Sequence, residues 1–145
     1  MIPLILLIVS LLVFRGLGEL GVSIFSSWQD SARYALALMF LFTASAHFTS
    51  MKEDLIRMIP KTFPYPRQIV FLTGIFEVMG AIGLLIPATK NLAGAGLVLL
   101  MIAMFPANVN AAINKMPLRG KPPTPLWMRI PMQIIFISLT WWASR

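Results

Sequence analysis

The chain has 145 residues, of which 58% are hydrophobic and 12% charged, with a net charge of +7, one histidine and no cysteine. Soluble domains carry about 25% charged residues. Here the charges are missing from long runs and gathered in the gaps between them, which fits a polytopic membrane protein better than a soluble core. Without cysteine there is no thiolate nucleophile, disulfide relay or iron–sulfur cluster, and a lone histidine excludes bis-histidine haem ligation within one chain. The basic residues stand where membrane topology would put them, so nucleic acid is not an expected partner.

Five apolar segments follow one another, at about 2–25, 32–49, 68–87, 91–113 and 126–143. Each is long enough to cross a ~30 Å hydrocarbon layer as a helix. Only helices satisfy their own backbone in lipid when the chain crosses in single passes, so the expected fold is all-α. It is a polytopic bundle of about five transmembrane helices in one domain spanning 1–145.

The first segment is interrupted by Arg15 and Glu19, which are four apart and can pair on one helix face. The alternative is a short interfacial helix over residues 1–14. Its apolar run resembles a signal peptide but lacks a basic leader and a small-residue cleavage site, so it reads as retained. Ser26 to Ser31 reads as a short polar turn. Ser50-Met51-Lys52-Glu53 has the pattern of a capping box. Beyond it Met51, Leu55, Met58 and Ile59 fall on one side, which predicts a short helix over Met51–Ile59 lying on the membrane surface. Pro60, Pro64 and Pro66 stop it. Pro87 and Asn91 bound a tight turn, and Lys115 to Pro125 is a basic, proline-rich loop.

With five spans, the N-terminus, residues 50–67 and residues 114–129 share one side. That side holds Lys52, Arg57, Lys61, Arg67, Lys115, Arg119, Lys121 and Arg129, against Arg33, Lys90 and Arg145 on the other. The positive-inside rule then predicts a cytoplasmic N-terminus and an external C-terminus.

Polar residues inside the spans are the candidate site. Glu77 stands mid-helix among Thr73, Gly74, Gly80 and Ala81. Small faces pack on other helices, so Glu77 should point into the bundle, as a ligand contact or a structural anchor. Asn108 and Asn110 follow Pro106, which cannot donate a backbone hydrogen bond and frees the carbonyl of Ile102. Arg129 and Gln133 share a face of the last helix, with snorkelling of Arg129 to headgroups as the alternative. Glu77, Asn108 and Gln133 each fall roughly 10 Å from the same boundary at ~1.5 Å per residue. This predicts that Glu77, Asn108, Arg129 and Gln133 converge, with Arg129 as the counter-ion if Glu77 is charged and His47 at the cytoplasmic rim. Trp127, Trp141 and Trp142 mark interfacial ends. No metal-ligand cluster is expected, and no set of catalytic residues is complete.

Ala46-His47-Phe48, Phe71-Leu-Thr-Gly-Ile-Phe-Glu-Val-Met-Gly-Ala-Ile-Gly-Leu-Leu-Ile-Pro87, Phe105-Pro-Ala-Asn-Val-Asn110 and Leu126-Trp-Met-Arg-Ile-Pro-Met-Gln133 together resemble DoxX-like membrane proteins over residues 32–143. The resemblance implies a four-helix core, with residues 1–27 as an added N-terminal helix, in the bacterial inner membrane. His47, Glu77, Pro106, Asn108, Arg129, Pro131 and Gln133 are the matching positions. It implies little chemistry: some relatives are tied to quinone-linked oxidation, others to stress complexes or receptor assembly. The expected role is an accessory or ligand-binding subunit holding a quinone or other lipid. The alternatives are a membrane isomerase or quinone-linked oxidoreductase using Glu77 as acid/base, and a structural partner or chaperone of another membrane protein. A membrane-protein partner or a second copy is compatible with each.

Overall fold

The computed structural model describes all 145 residues. Six helices follow in order: α1 Ile2–Glu19, α2 Trp28–Ser45, α3 Lys52–Met58, α4 Pro66–Leu85, α5 Lys90–Ile113 and α6 Leu126–Ala143. There is no strand, only an isolated bridge between Leu118 and Lys121 in the loop before α6.

Helix α1 runs through Arg15 to Glu19, well beyond the short interfacial helix weighed as an alternative. Arg15 pairs with Glu19, as their spacing predicts. It also reaches across the turn, donating to the carbonyls of Phe25 (3.3 Å) and Ser26 (3.1 Å). The guanidinium therefore fastens the α1–α2 connection and belongs to that end of the bundle. Residues 26–31 are mostly helix rather than turn. Ser27 caps α2 by accepting from the Asp30 amide at 3.0 Å, and Asp30 pairs with Arg33 at 2.6 Å. The cap moves the helix start forward into sequence that looks polar enough for a loop.

Helix α3 is separate from α4, as expected, but the capping box is not made. Met51 precedes the helix and no side chain caps it. Glu53 instead faces Arg67 at 3.3 Å, an exposed pair with little stabilising weight.

Helix α2 is the centre of the bundle, packed on α1, α4 and α6, while α5 closes the ring between α4 and α6 and α3 lies across α4 and α5. Ala32, Ala35, Leu36, Met39 and Phe40 of α2 meet Leu7, Ala81, Leu84, Leu97 and Ala143 from the other long helices. Small residues on α2 allow this central position, since they let several backbones approach at once. The outside is the reverse of a soluble protein. Ile5 and Leu12 on α1, Phe76 and Met79 on α4, and Leu92 and Leu99 on α5 are all exposed. Soluble monomers rarely expose contiguous apolar surface on this scale, whereas in lipid it carries no penalty. Helices α1, α4 and α5 are each long and apolar enough to cross a membrane. Helix α2, with Gln29, Asp30 and Arg33, and α6, with Arg129 and Gln133, do not meet the same measure.

Candidate functional site

The C-terminal end of α2 meets α4 through a glycine. A Cβ at Gly74 would lie 2.5 Å from the His47 Cβ, so only glycine lets the two segments come this close. The approach brings His47, two residues past the end of α2, against two groups of α4. Nδ1 donates to the Val70 carbonyl at 2.7 Å, and Nε2 stands 3.3 Å from Glu77 Oε2. Thr43, one turn earlier on α2, donates to Glu77 Oε1. Both His47 and Glu77 are buried.

Nδ1 must carry a hydrogen to donate to a carbonyl, which leaves Nε2 facing a carboxylate oxygen. The two atoms are within ion-pair range but form no hydrogen bond, so Glu77 Oε2 is buried without a hydrogen-bond partner. A single proton held by the pair would make it neutral as a unit and lower the cost of placing it at membrane depth.

A second polar group joins α5 and α6. Arg129 donates through Nη1 to Asn108 Oδ1 and through Nε to the Thr124 carbonyl, both at 2.8 Å. Held at two points, it does not extend away to a headgroup as a snorkelling arginine would. Gln133 donates to the Met101 carbonyl at 2.8 Å. Pro106 leaves a donor missing in this part of α5, and Gln133 supplies one to the carbonyl just before that of Ile102. Asn110, two residues from Asn108 and so on another side of α5, donates to the Met58 carbonyl at 2.8 Å and ties α3 to the bundle.

Glu77, Asn108, Arg129 and Gln133 line one cavity of about 280 Å³, whose apolar walls include Met39, Phe40, Phe105, Met132 and Phe136. The four residues converge on one space, but the expected ion pair between Glu77 and Arg129 is not made: Glu77 takes His47 and Thr43 as partners. His47 is not at the rim of this cavity either. It lies behind Glu77 and lines a neighbouring cavity of about 220 Å³ beneath α3, with Leu55, Met58 and Val70. Similar depth alone does not say which helices adjoin. Histidine reaches Glu77 because Gly74 opens the α2–α4 contact, and Arg129 belongs to the α5–α6 side. Asn108 and Met104 line both cavities.

Sequence reasoning missed Thr43 and the carbonyls of Val70, Met101 and Thr124. Thr43 could have been found, since it precedes His47 by one helical turn. The carbonyls carry no side-chain signal.

An all-helical bundle with an apolar exterior and three helices long and apolar enough to cross a membrane has the form of a membrane protein. The chain matches a domain of unknown function (DUF8561) over residues 36–144, about three quarters of its length, and belongs to that family. The match begins within α2 and runs just past α6, leaving α1 outside it. No curated protein and no solved structure shows significant similarity to the chain.

Proposed function

We propose that this protein is a five-span membrane subunit that binds a lipophilic molecule, of quinone or lipid type, in the cavity lined by Glu77, Asn108, Arg129 and Gln133. The observation that carries this reading is the cavity itself: four polar side chains from α4, α5 and α6, with Thr43 and Thr124 beside them, share one space with mainly apolar walls. Such a combination is the usual form of a small-molecule site. A bundle using polar residues only as glue would leave no such space between them.

The position of α2 and α6 supports five spans. Helix α2 is surrounded by other helices and needs less apolar surface than a lipid-facing span. The polar groups of α6 face the cavity rather than lipid. The end of the bundle carrying the cavity holds eight lysines and arginines, and the other end holds Arg15, Arg33, Lys90 and Arg145. Counting Arg15 there narrows the difference without reversing it, so the N-terminus is cytoplasmic, the C-terminus external and α3 a helix on the cytoplasmic surface. The DoxX-like resemblance adds the bacterial inner membrane.

Protein purified in mild detergent from its native membrane, extracted and analysed by mass spectrometry, should carry a lipophilic compound enriched over the bulk membrane. An extract with the bulk composition would overturn the reading. A C-terminal reporter active only on the cytoplasmic side would overturn the topology.

A second reading is favoured by the His47–Glu77 contact. A shared proton between Nε2 and Oε2, with Glu77 on the cavity wall, could serve acid/base chemistry on a bound molecule. Turnover of a candidate quinone or sterol, lost in Glu77→Gln, would establish it.

A further inference from the structure

We infer that the cavity selects an amphiphile with an anionic head, an oxoanion carried on a single apolar chain, and that Arg129 reads its charge. The inference rests on the cavity being a ligand site and adds the chemical class of the ligand.

The basis is a charge account of the whole chain. It has five acidic side chains: Glu19, Asp30, Glu53, Asp54 and Glu77. Each is engaged elsewhere, with Arg15, Arg33, Arg67, Arg57 and His47 respectively. Arg129 therefore has no carboxylate counter-ion. Its protein partners, Asn108 Oδ1 and the Thr124 carbonyl, are both neutral. The one carboxyl group on the cavity wall is paired with His47, so the excess positive charge on the α5–α6 wall is a guanidinium that is always protonated, while Met1, which carries the α-amino group, lines the same cavity from the α1 side.

Free donors point the same way. Arg129 uses Nε and Nη1 on the protein, leaving Nη2 for a ligand. Asn108 uses Oδ1, leaving Nδ2. Two donors from adjoining helices beside an uncompensated cation suit a carboxylate or phosphate, which accepts at two oxygens, better than a single ketone oxygen. The apolar walls, Phe40, Phe105, Met132 and Phe136 among them, suit a hydrocarbon chain. A volume of about 280 Å³ lies at the small end of ligand sites and fits a head with one chain rather than a whole two-chain phospholipid.

The test uses the full-length protein in dodecyl maltoside, with oleate, 1-oleoyl-lysophosphatidate and methyl oleate as probes. Affinity is read from the ligand-dependent rise in unfolding temperature. One or both anions should bind about 10- to 100-fold more tightly than the neutral ester, the range expected of charge-assisted hydrogen bonds. Whichever anion binds more tightly identifies a carboxylate or a phosphate head. Arg129→Gln should erase the preference and leave methyl oleate binding within about 3-fold. Gln133→Glu keeps Arg129 but sets a carboxylate one turn away on the same face. It should also erase the preference, and it preserves the test if Arg129→Gln does not fold. Equal binding of anions and ester, or a preference that survives both substitutions, overturns the inference and leaves the cavity reading standing. If no probe binds while the native extract holds an enriched neutral lipophile, the anionic class alone is overturned. If no probe binds and the extract has the bulk composition, the cavity reading falls as well.

Discussion

Glu77 is buried, and its two carboxylate oxygens face His47 and Thr43 on the neighbouring helix. Arg129, only half buried, meets neutral oxygens and keeps donors to spare. Both residues border the same cavity, yet one is paired with protein groups and the other is open and charged. A polar group at membrane depth must be satisfied somehow. The α2–α4 pair does it with protein partners, which makes that contact a matter of stability. The α5–α6 group does it in part and keeps donors free, which under the proposed function makes it a matter of recognition. Substitutions on the two sides should therefore separate into those that unfold the bundle and those that change what it binds.

The largest effect is expected at His47. His47→Leu removes the ion-pair-range partner of a buried carboxyl and the donor to the Val70 carbonyl. Loss of one member of a buried pair typically costs about 3–5 kcal/mol. Thermal or denaturant unfolding in detergent should show a loss in that range. A loss under about 1 kcal/mol would mean that water reaches Glu77 and that the pair is not closed.

Gly74→Ala attacks the same contact without touching a polar atom. The added methyl would meet the His47 Cβ at 2.5 Å, an atom too near the backbone to move aside by rotation. Overpacking of this kind costs about 1–3 kcal/mol. The double variant with His47→Leu should lose less than the sum of the two, because both act on one contact. Strict additivity in unfolding measurements would show that Gly74 tolerates the methyl by a shift elsewhere.

A smaller and more local effect is expected at Ser27. Ser27→Ala removes the cap of α2, with a typical cost of ~1 kcal/mol. It should lower the unfolding temperature without changing ligand affinity, since the cap lies at the end of the bundle away from the cavity. A changed affinity would couple the two ends of α2.

The sequence was informative where physics acts through hydrophobic runs and small-residue faces. The spans near 68–87, 91–113 and 126–143 agree with α4, α5 and α6 to within about two residues, because lipid demands long uninterrupted apolar helices. The small face around Glu77 correctly indicated that it turns inward, with Gly74 against His47 and Ala81 in the core. Pairing was not legible. The choice between His47 and Arg129 as the partner of Glu77 depends on which helices adjoin, and a depth estimate contains no such information. The Ser50 capping pattern failed for a related reason: a four-residue match records that a cap is available, while the turn that precedes α3 places Met51 at the helix start. The start of α2 was lost because Ser27 to Asp30 looks like a loop until its side chains are seen to cap a helix.

Glu77→Gln gives the smallest expected change in stability and the sharpest view of the closed pair. With Nδ1–H held by Val70, a neutral His47 offers Nε2 as an acceptor. A glutamine amide at position 77 can donate to that nitrogen while its oxygen accepts from Thr43, so both contacts persist without any shared proton. The change should therefore cost under about 1 kcal/mol, because no buried donor or acceptor loses its partner. It should also leave the net charge of the cavity unchanged if the wild-type pair is neutral as a unit. Oleate and methyl oleate should then keep their relative affinities in this variant. If Glu77 were instead ionised beside a neutral His47, the substitution would remove a negative charge next to Arg129 and strengthen oleate binding several-fold. A measured gain of that size would break the contrast between the two polar groups and make Glu77 a counter-ion of the cavity after all.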